Sequence, residues 1–237
     1  MTDRYTVTIS VAAPGTPLVG GGTSAAGHVY FQVDNGAVVR SFGFAPAEHG
    51  TSSGIGEVSK SDHEIYSQPL YQRTLEISKA QFDKLKDFGE HPETHGFDMQ
   101  YNGATNSCID FTWSALNHAG LHRRNLFLQP DRDFDGGLKP LTNIEYIRSI
   151  KAPYPDSDLN IEKRNPMPER TLLQRFISDA DLPQNDRRML EDIRSQVAGI
   201  DMQHGREFDA TSEHIRWACW WRRSREACSA LTTSCWG

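Results

Sequence analysis

Cysteine is scarce in this 237-residue chain and unevenly placed. Three of the four, Cys219, Cys228 and Cys235, fall in the closing stretch RWACWWRRSREACSALTTSCWG, so Cys108 stands alone before it and a disulfide framework there is excluded. Long apolar runs are missing too. None approaches the roughly 20 residues that span a bilayer, and the N-terminus has no basic region followed by a hydrophobic core. The expectation is a chain made in the cytoplasm, with no membrane span and no ordinary export leader. Positive charge is not in excess: 25 Lys and Arg face 31 Asp and Glu, a net charge of −6, which argues against a general nucleic-acid binder. Internal repeats are absent. A hydrophobic content of 37% suffices for one substantial core and a second small unit.

What is present in residues 1–150 reads as α+β. TVTISVA alternates as a strand, and GHVYFQV-DNG-AVVRSFGF is a hairpin signal around Asn35-Gly36. A two-residue turn there would set His28 opposite Gly43, with Tyr30 and Ser41 on the face of His28. A Gly/Ser/His-rich loop from Ala47 to Gly56 and a strand from Gln72 to Ile77 follow. Ser78-x-x-Gln81 is a capping box for a helix whose Phe82, Leu85 and Phe88 share one side. A second helix should run from Ser107 to Gly120, and NIEYIRSI is a short element of either type. Four prolines between Lys151 and Glu169 mark an extended linker, residues 151–169, and a small helical module occupies residues 170–237.

The sharpest chemical feature is NSCIDFTWSALNHAG. Ser107 as N-cap and Asp110 three residues on form a capping box, which makes Cys108 the first helical residue. Free N–H groups and the helix dipole favour a thiolate at that position. Asp110 opposes this electrostatically, so its role there is capping. A lone cytosolic Cys is more often a small buried hydrophobe. His28 raises the catalytic reading, because an imidazole at a strand start can face a helix N-terminus and act as its base.

These residues, GHVYFQV, SFGFAP, GEV, ISKAQFD and NSCIDF, together resemble a circularly permuted NlpC-type papain-like domain over roughly Gly27 to Asn143, in which His precedes Cys. The resemblance implies a papain-like cysteine hydrolase with Cys108 as nucleophile, His28 as general base and a third polar group to orient the imidazole. Ser41 fits the hairpin arithmetic for that third role; His63 and Glu57 are alternatives. Asn106 and the Cys108 backbone N–H would help form an oxyanion hole, with Ser107 and Asp110 in support. No cofactor is implied. The family includes peptidoglycan amidases and endopeptidases, and its permuted members include lipid acyltransferases and acyl hydrolases, so substrate does not follow from fold.

Other constellations are weaker. Asp131, Asp133 and Asp135 copy the first half of a calcium-binding EF-hand loop, but Thr142 stands where a bidentate Glu is required, so a polar turn is the better reading. His91 and His95 are four apart, yet Pro92 and Gly96 break any helix that would present both to zinc. Near the end, MLEDIRSQVAGIDMQHGREFDATSEHI resembles the first half of the recruitment domain, XVIPCD, of antibacterial type IV secretion effectors. That domain continues into a G-L-x-R-I-D-H-V core, which is missing. Plausible codons for Glu226 to Trp236, read in a shifted frame, give G-L-Q-R-I-D-H-V-V-L, so the tail from about residue 216 reads as a frameshifted end of the module. The resemblances together imply an antibacterial effector, delivered from the producer's cytoplasm to a target's periplasm through the coupling ATPase, cleaving peptidoglycan amides and paired with an immunity protein. A phospholipid or other acyl hydrolase, or a non-catalytic binding module, is the competing expectation.

Overall fold

The computed structural model of the protein describes residues 4–178 apart from His49 and Leu126. In chain order its elements are β1 (Tyr5–Ala12), β2 (His28–Asp34), β3 (Val39–Pro46), β4 (Ser53–Ser59), α1 (Asp62–Ile65), β5 (Tyr71–Ile77) and α2 (Lys79–Glu90). They continue with β6 (Gln100–Asn102), α3 (Cys108–His118), β7 (Arg123–Arg124), β8 (Pro130–Asp131), α4 (Asn143–Arg148), β9 (Ile161–Arg164) and α5 (Leu172–Ser178). Seven strands form one antiparallel sheet in the order β6-β4-β3-β2-β1-β5-β9, and β7 pairs with β8 separately. The protein is therefore α+β.

Alternation builds the core. Val7, Ile9 and Val11 of β1 and Val29, Phe31 and Val33 of β2 are fully buried with Phe42 and Phe44 of β3. They share one cluster with Phe82, Leu85 and Phe88 of α2 and Phe111, Ala115 and Leu116 of α3. Each such side chain contributes roughly 1.5–3 kcal/mol on burial. Both predicted capping boxes are present: Ser78 with Gln81 opens α2, and Ser107 with Asp110 opens α3. Gly120, with φ of 76°, follows the end of α3 as expected.

The hairpin register differs from the sequence expectation. Gln32 pairs with Ser41 and Asp34 with Val39, so the loop is residues 35–38 rather than a two-residue turn. Asn35 Oδ1 causes this by accepting from the N–H groups of Ala37 and Val38, which closes a wider loop. The pairing slides by two residues, which preserves the faces: Tyr30 and Ser41 still lie opposite the core side.

Two other segments depart from expectation. The glycine-rich stretch ending at Gly56 contains the first half of β4. Gly56 is a strand residue because a Cβ there would collide with the Phe44 ring of β3. The proline-rich segment from Lys151 is not a free linker: β9 pairs with β5, Asn165 N–H donates to Leu70 C=O at 2.9 Å, and Asn160 Oδ1 accepts from Glu76 N–H at 3.0 Å. Leu190 to Ile200, the recruitment-like segment and the Trp/Cys-rich tail lie outside the described residues. Among the described residues, no helix is long and apolar enough to cross a membrane.

Candidate active site

Ser107 positions Cys108. The Ser107 hydroxyl accepts from Ile109 N–H at 3.2 Å, and Asp110 Oδ2 accepts from Ser107 N–H at 2.8 Å and from its hydroxyl at 2.9 Å. This locks the first turn of α3, so the Cys108 N–H points out of the helix start with no acceptor within it. Ser107 and Asp110 are capping groups. Cys108 is 7% exposed, packed partly in the core and partly against a cavity of about 280 Å³.

His28 opens β2 at the mouth of the same cavity. Its Nε2 lies 3.1 Å from Asp62 Oδ2, and both side chains are buried. Ser41 does not fill the third position proposed for it. Its hydroxyl lies 2.8 Å from His63 Nδ1 and accepts from His63 N–H at 3.3 Å. His63 likewise does not reach His28: the hydrogen bond to Ser41 turns its ring away, and the bond's effect is to tie α1 to β3. Asp62, one residue earlier, is thereby held against the imidazole. Glu57 is exposed on β4.

Gly43 supplies the space for this pair. A Cβ there would collide with Asp62 Oδ2 and lie 2.5 Å from His28 Nε2, so β3 admits the pair only at a residue without a side chain. Above it, Tyr66 stacks on the imidazole at 5.1 Å and Tyr30 at 5.7 Å. These aromatic walls fix the ring plane, and Nε2, not Nδ1, takes the bond to Asp62.

Charge favours an imidazolium. Burial alone would lower the His28 pKa; the acidic groups around it, Tyr66 and Asp62 first, with the Asp62 hydrogen bond, outweigh it and raise the pKa well above 6.5. Burial raises the Tyr66 pKa, so at neutral pH Tyr66 is a neutral phenol and Asp62 carries the persistent charge. For Asp62, burial would raise the pKa, but the charge and hydrogen bond of His28 and the Ser59 hydroxyl bring it below 3.8. Tyr101 lines the cavity too, and burial, then the charge of Cys108, raises its pKa, so its phenol stays protonated.

Asn106 is not an oxyanion donor here. Its amide N–H groups are spent on the carbonyls of Asp98 and Gln100, each at 2.7 Å, which ties β6 to the turn before α3. Asp131 is bound to Arg123, Asp133 is exposed, and Phe134 between the acidic residues packs on Trp113. The loop therefore docks an aromatic ring, and among the described residues no group of three His, Cys, Asp or Glu side chains is arranged to hold a metal. His95 is paired with Asp87 at 2.9 Å.

Sequence reasoning missed Asp62, Tyr66 and Tyr101. For Asp62 a signal existed: SDHE is the one dense run of carboxylates and imidazole between β4 and β5. Compared with known proteins, the chain matches no family model, no curated protein and no solved structure.

Proposed function

We propose that the protein is a cysteine hydrolase acting through a thioester on Cys108, with His28 as base and Asp62 as the group that orients it. The observation that carries this reading is the buried His28–Asp62 pair at the cavity that also receives Cys108 from the start of α3. Nδ1 of His28 takes the thiol proton, and Sγ attacks the substrate carbonyl. The Cys108 N–H and the Tyr101 hydroxyl are the donors the cavity offers to the oxyanion. His28 then protonates the leaving group, which departs and leaves an acyl-enzyme. Water, deprotonated by His28, releases the acid and restores the thiol.

The papain-like architecture, and peptidoglycan amides as substrate, are proposed on the resemblance of GHVYFQV and NSCIDF. Delivery as an antibacterial effector, with a coupling ATPase and an immunity protein as partners, is proposed on the resemblance of residues 189–215. Incubation with purified sacculi tests the substrate: released peptide or sugar-peptide fragments are expected, and Cys108→Ala should abolish them. Turnover retained in Cys108→Ala would overturn the mechanism.

A second reading as a lipid or other acyl hydrolase is favoured by the walls of the cavity, where Leu18, Phe44, Ala45 and Pro46 offer apolar surface. Fatty-acid release without sacculus digestion selects it. The binding-module reading rests on the 7% exposure of Cys108 and its membership of the core. It requires that iodoacetamide find no fast-reacting thiol in the folded protein.

A further inference from the structure

The cavity at Cys108 is lined, among the described residues, by no Lys, Arg, Asp or Glu. Its polar walls are the hydroxyls of Thr23, Ser24, Thr51 and Ser52 besides the phenols. Three of those four already have protein partners. Ser24 Oγ accepts from Gly27 N–H at 3.2 Å, Thr23 Oγ1 accepts from Gln174 Nε2 at 3.1 Å, and Thr51 Oγ1 donates to Glu48 C=O at 2.8 Å. These bonds hold the three hydroxyls in place; Thr51 spends its O–H on Glu48, and the others offer an anion neutral donors but no charge.

The field points the same way. Among the described residues the one cation facing the cavity, the His28 imidazolium, is already paired with the buried Asp62 carboxylate at 3.1 Å. A carboxylate or phosphate seated beside the thiol would lose its hydration and meet no cation beyond the imidazolium that Asp62 already neutralises. A neutral acyl group incurs no such penalty and covers the apolar wall formed by Ala26, Phe44, Ala45 and Pro46.

We infer that the group bound beside Cys108 is an uncharged acyl group, and that acyl groups carrying a carboxylate within the cavity are rejected. This rests on the reading of Cys108 as the nucleophile. Two sources share this chemistry: the fatty-acyl ester of a lipid, and the neutral lactyl end of a peptidoglycan stem.

The test uses the full chain and two N-acetylcysteamine thioesters, one octanoyl and one its 7-carboxyheptanoyl counterpart. In each case the Cys108 thiol displaces N-acetylcysteamine, which leaves as the free thiol, and the acyl group remains on Sγ until water removes it. Intact mass reads the acyl-enzyme and thiol release gives the rate. The octanoyl probe should acylate roughly tenfold faster or more. Thr51→Arg, which adds a cation to the wall and leaves the catalytic groups alone, should bring the two rates within about threefold. Equal or faster acylation of Cys108 by the carboxylate probe overturns the inference and leaves the hydrolase reading standing. No acylation by either probe overturns both. Phosphatidylcholine vesicles and sacculi separate the sources: released fatty acid assigns the lipid, and stem peptide freed at its lactyl end assigns the glycan. Cleavage only at bonds flanked by free carboxylates overturns the inference.

Discussion

Asp62 reaches His28 across 34 residues of sequence, and that separation explains why it was harder to read than Cys108. Cys108 announces itself locally, because Ser107 and Asp110 fix a helix start around it. Asp62 becomes visible only when β4 returns along β3 and α1 folds over the outer face of the sheet, beside Ser41 and Gly43. The two-residue error in the hairpin register did not move Ser41 to another face, but the third partner of the imidazole comes from outside the hairpin altogether. Asp62→Asn removes the charge that raises the His28 pKa. His28 then deprotonates at lower pH, so the alkaline limb of hydrolysis should move down and kcat/KM should fall about 100-fold or more. Unchanged kcat/KM with an unchanged pH profile would remove Asp62 from the site. Stability follows linked signs. The Asp62 contribution is present above its ordinary 3.8 and is lost as pH falls through its lower folded value. The His28 contribution is full below 6.5 and is lost as pH rises through its raised folded value.

Helix starts were the most legible elements, because capping boxes are local chemistry. The strand β4 was hidden by the poor strand propensity of Gly54 and Gly56; at Gly56 it is overridden by the Phe44 ring, which only glycine lets approach so closely. NIEYIRSI was ambiguous because its polar residues fit either period; in the fold, Asn143 Oδ1 accepts from Trp113 Nε1 at 2.9 Å and its amide donates to Gly137 and Lys139, which decides for α4. The two capping boxes give a paired prediction. Ser78→Ala and Ser107→Ala should each cost about 1 kcal/mol, since each removes an equivalent cap. Only Ser107→Ala should slow iodoacetamide alkylation of the thiol and substrate turnover, because only α3 begins at the nucleophile. Denaturation midpoints and alkylation rates measure the two effects. Equal kinetic loss in both variants would mean that the start of α3 does nothing special for Cys108.

For the whole molecule, residues 1–150 were expected to hold the catalytic unit and the proline-rich stretch to be a spacer. Proline and charge do not distinguish a spacer from a protected sheet edge: Ile161–Arg164 reads IEKR, exposed at all four positions, which is the composition that keeps an edge strand from pairing with other chains. Contacts settle the matter instead. β9 covers the free edge of β5, and Asn165 Nδ2 donates to Pro69 C=O at 2.7 Å. Arg4 binds Glu76 at 2.9 Å and Asp158 at 2.5 Å. At the far end, Gln174 caps α5 with Thr171 and donates to Thr23 Oγ1 and Ser24 C=O, both on the cavity wall that leads into Gly27-His28. A chain cut after residue 150 should therefore lose stability relative to one cut after residue 178. Each lost hydrogen bond is worth roughly 0.5–1.5 kcal/mol, so the deficit should be about 2–5 kcal/mol. Its turnover should also drop, because the wall beside His28 loses the Gln174 prop. Urea titration of the two truncated chains reads the first effect and hydrolysis under native conditions the second. Matching midpoints and matching rates would return residues 151–178 to the role of spacer.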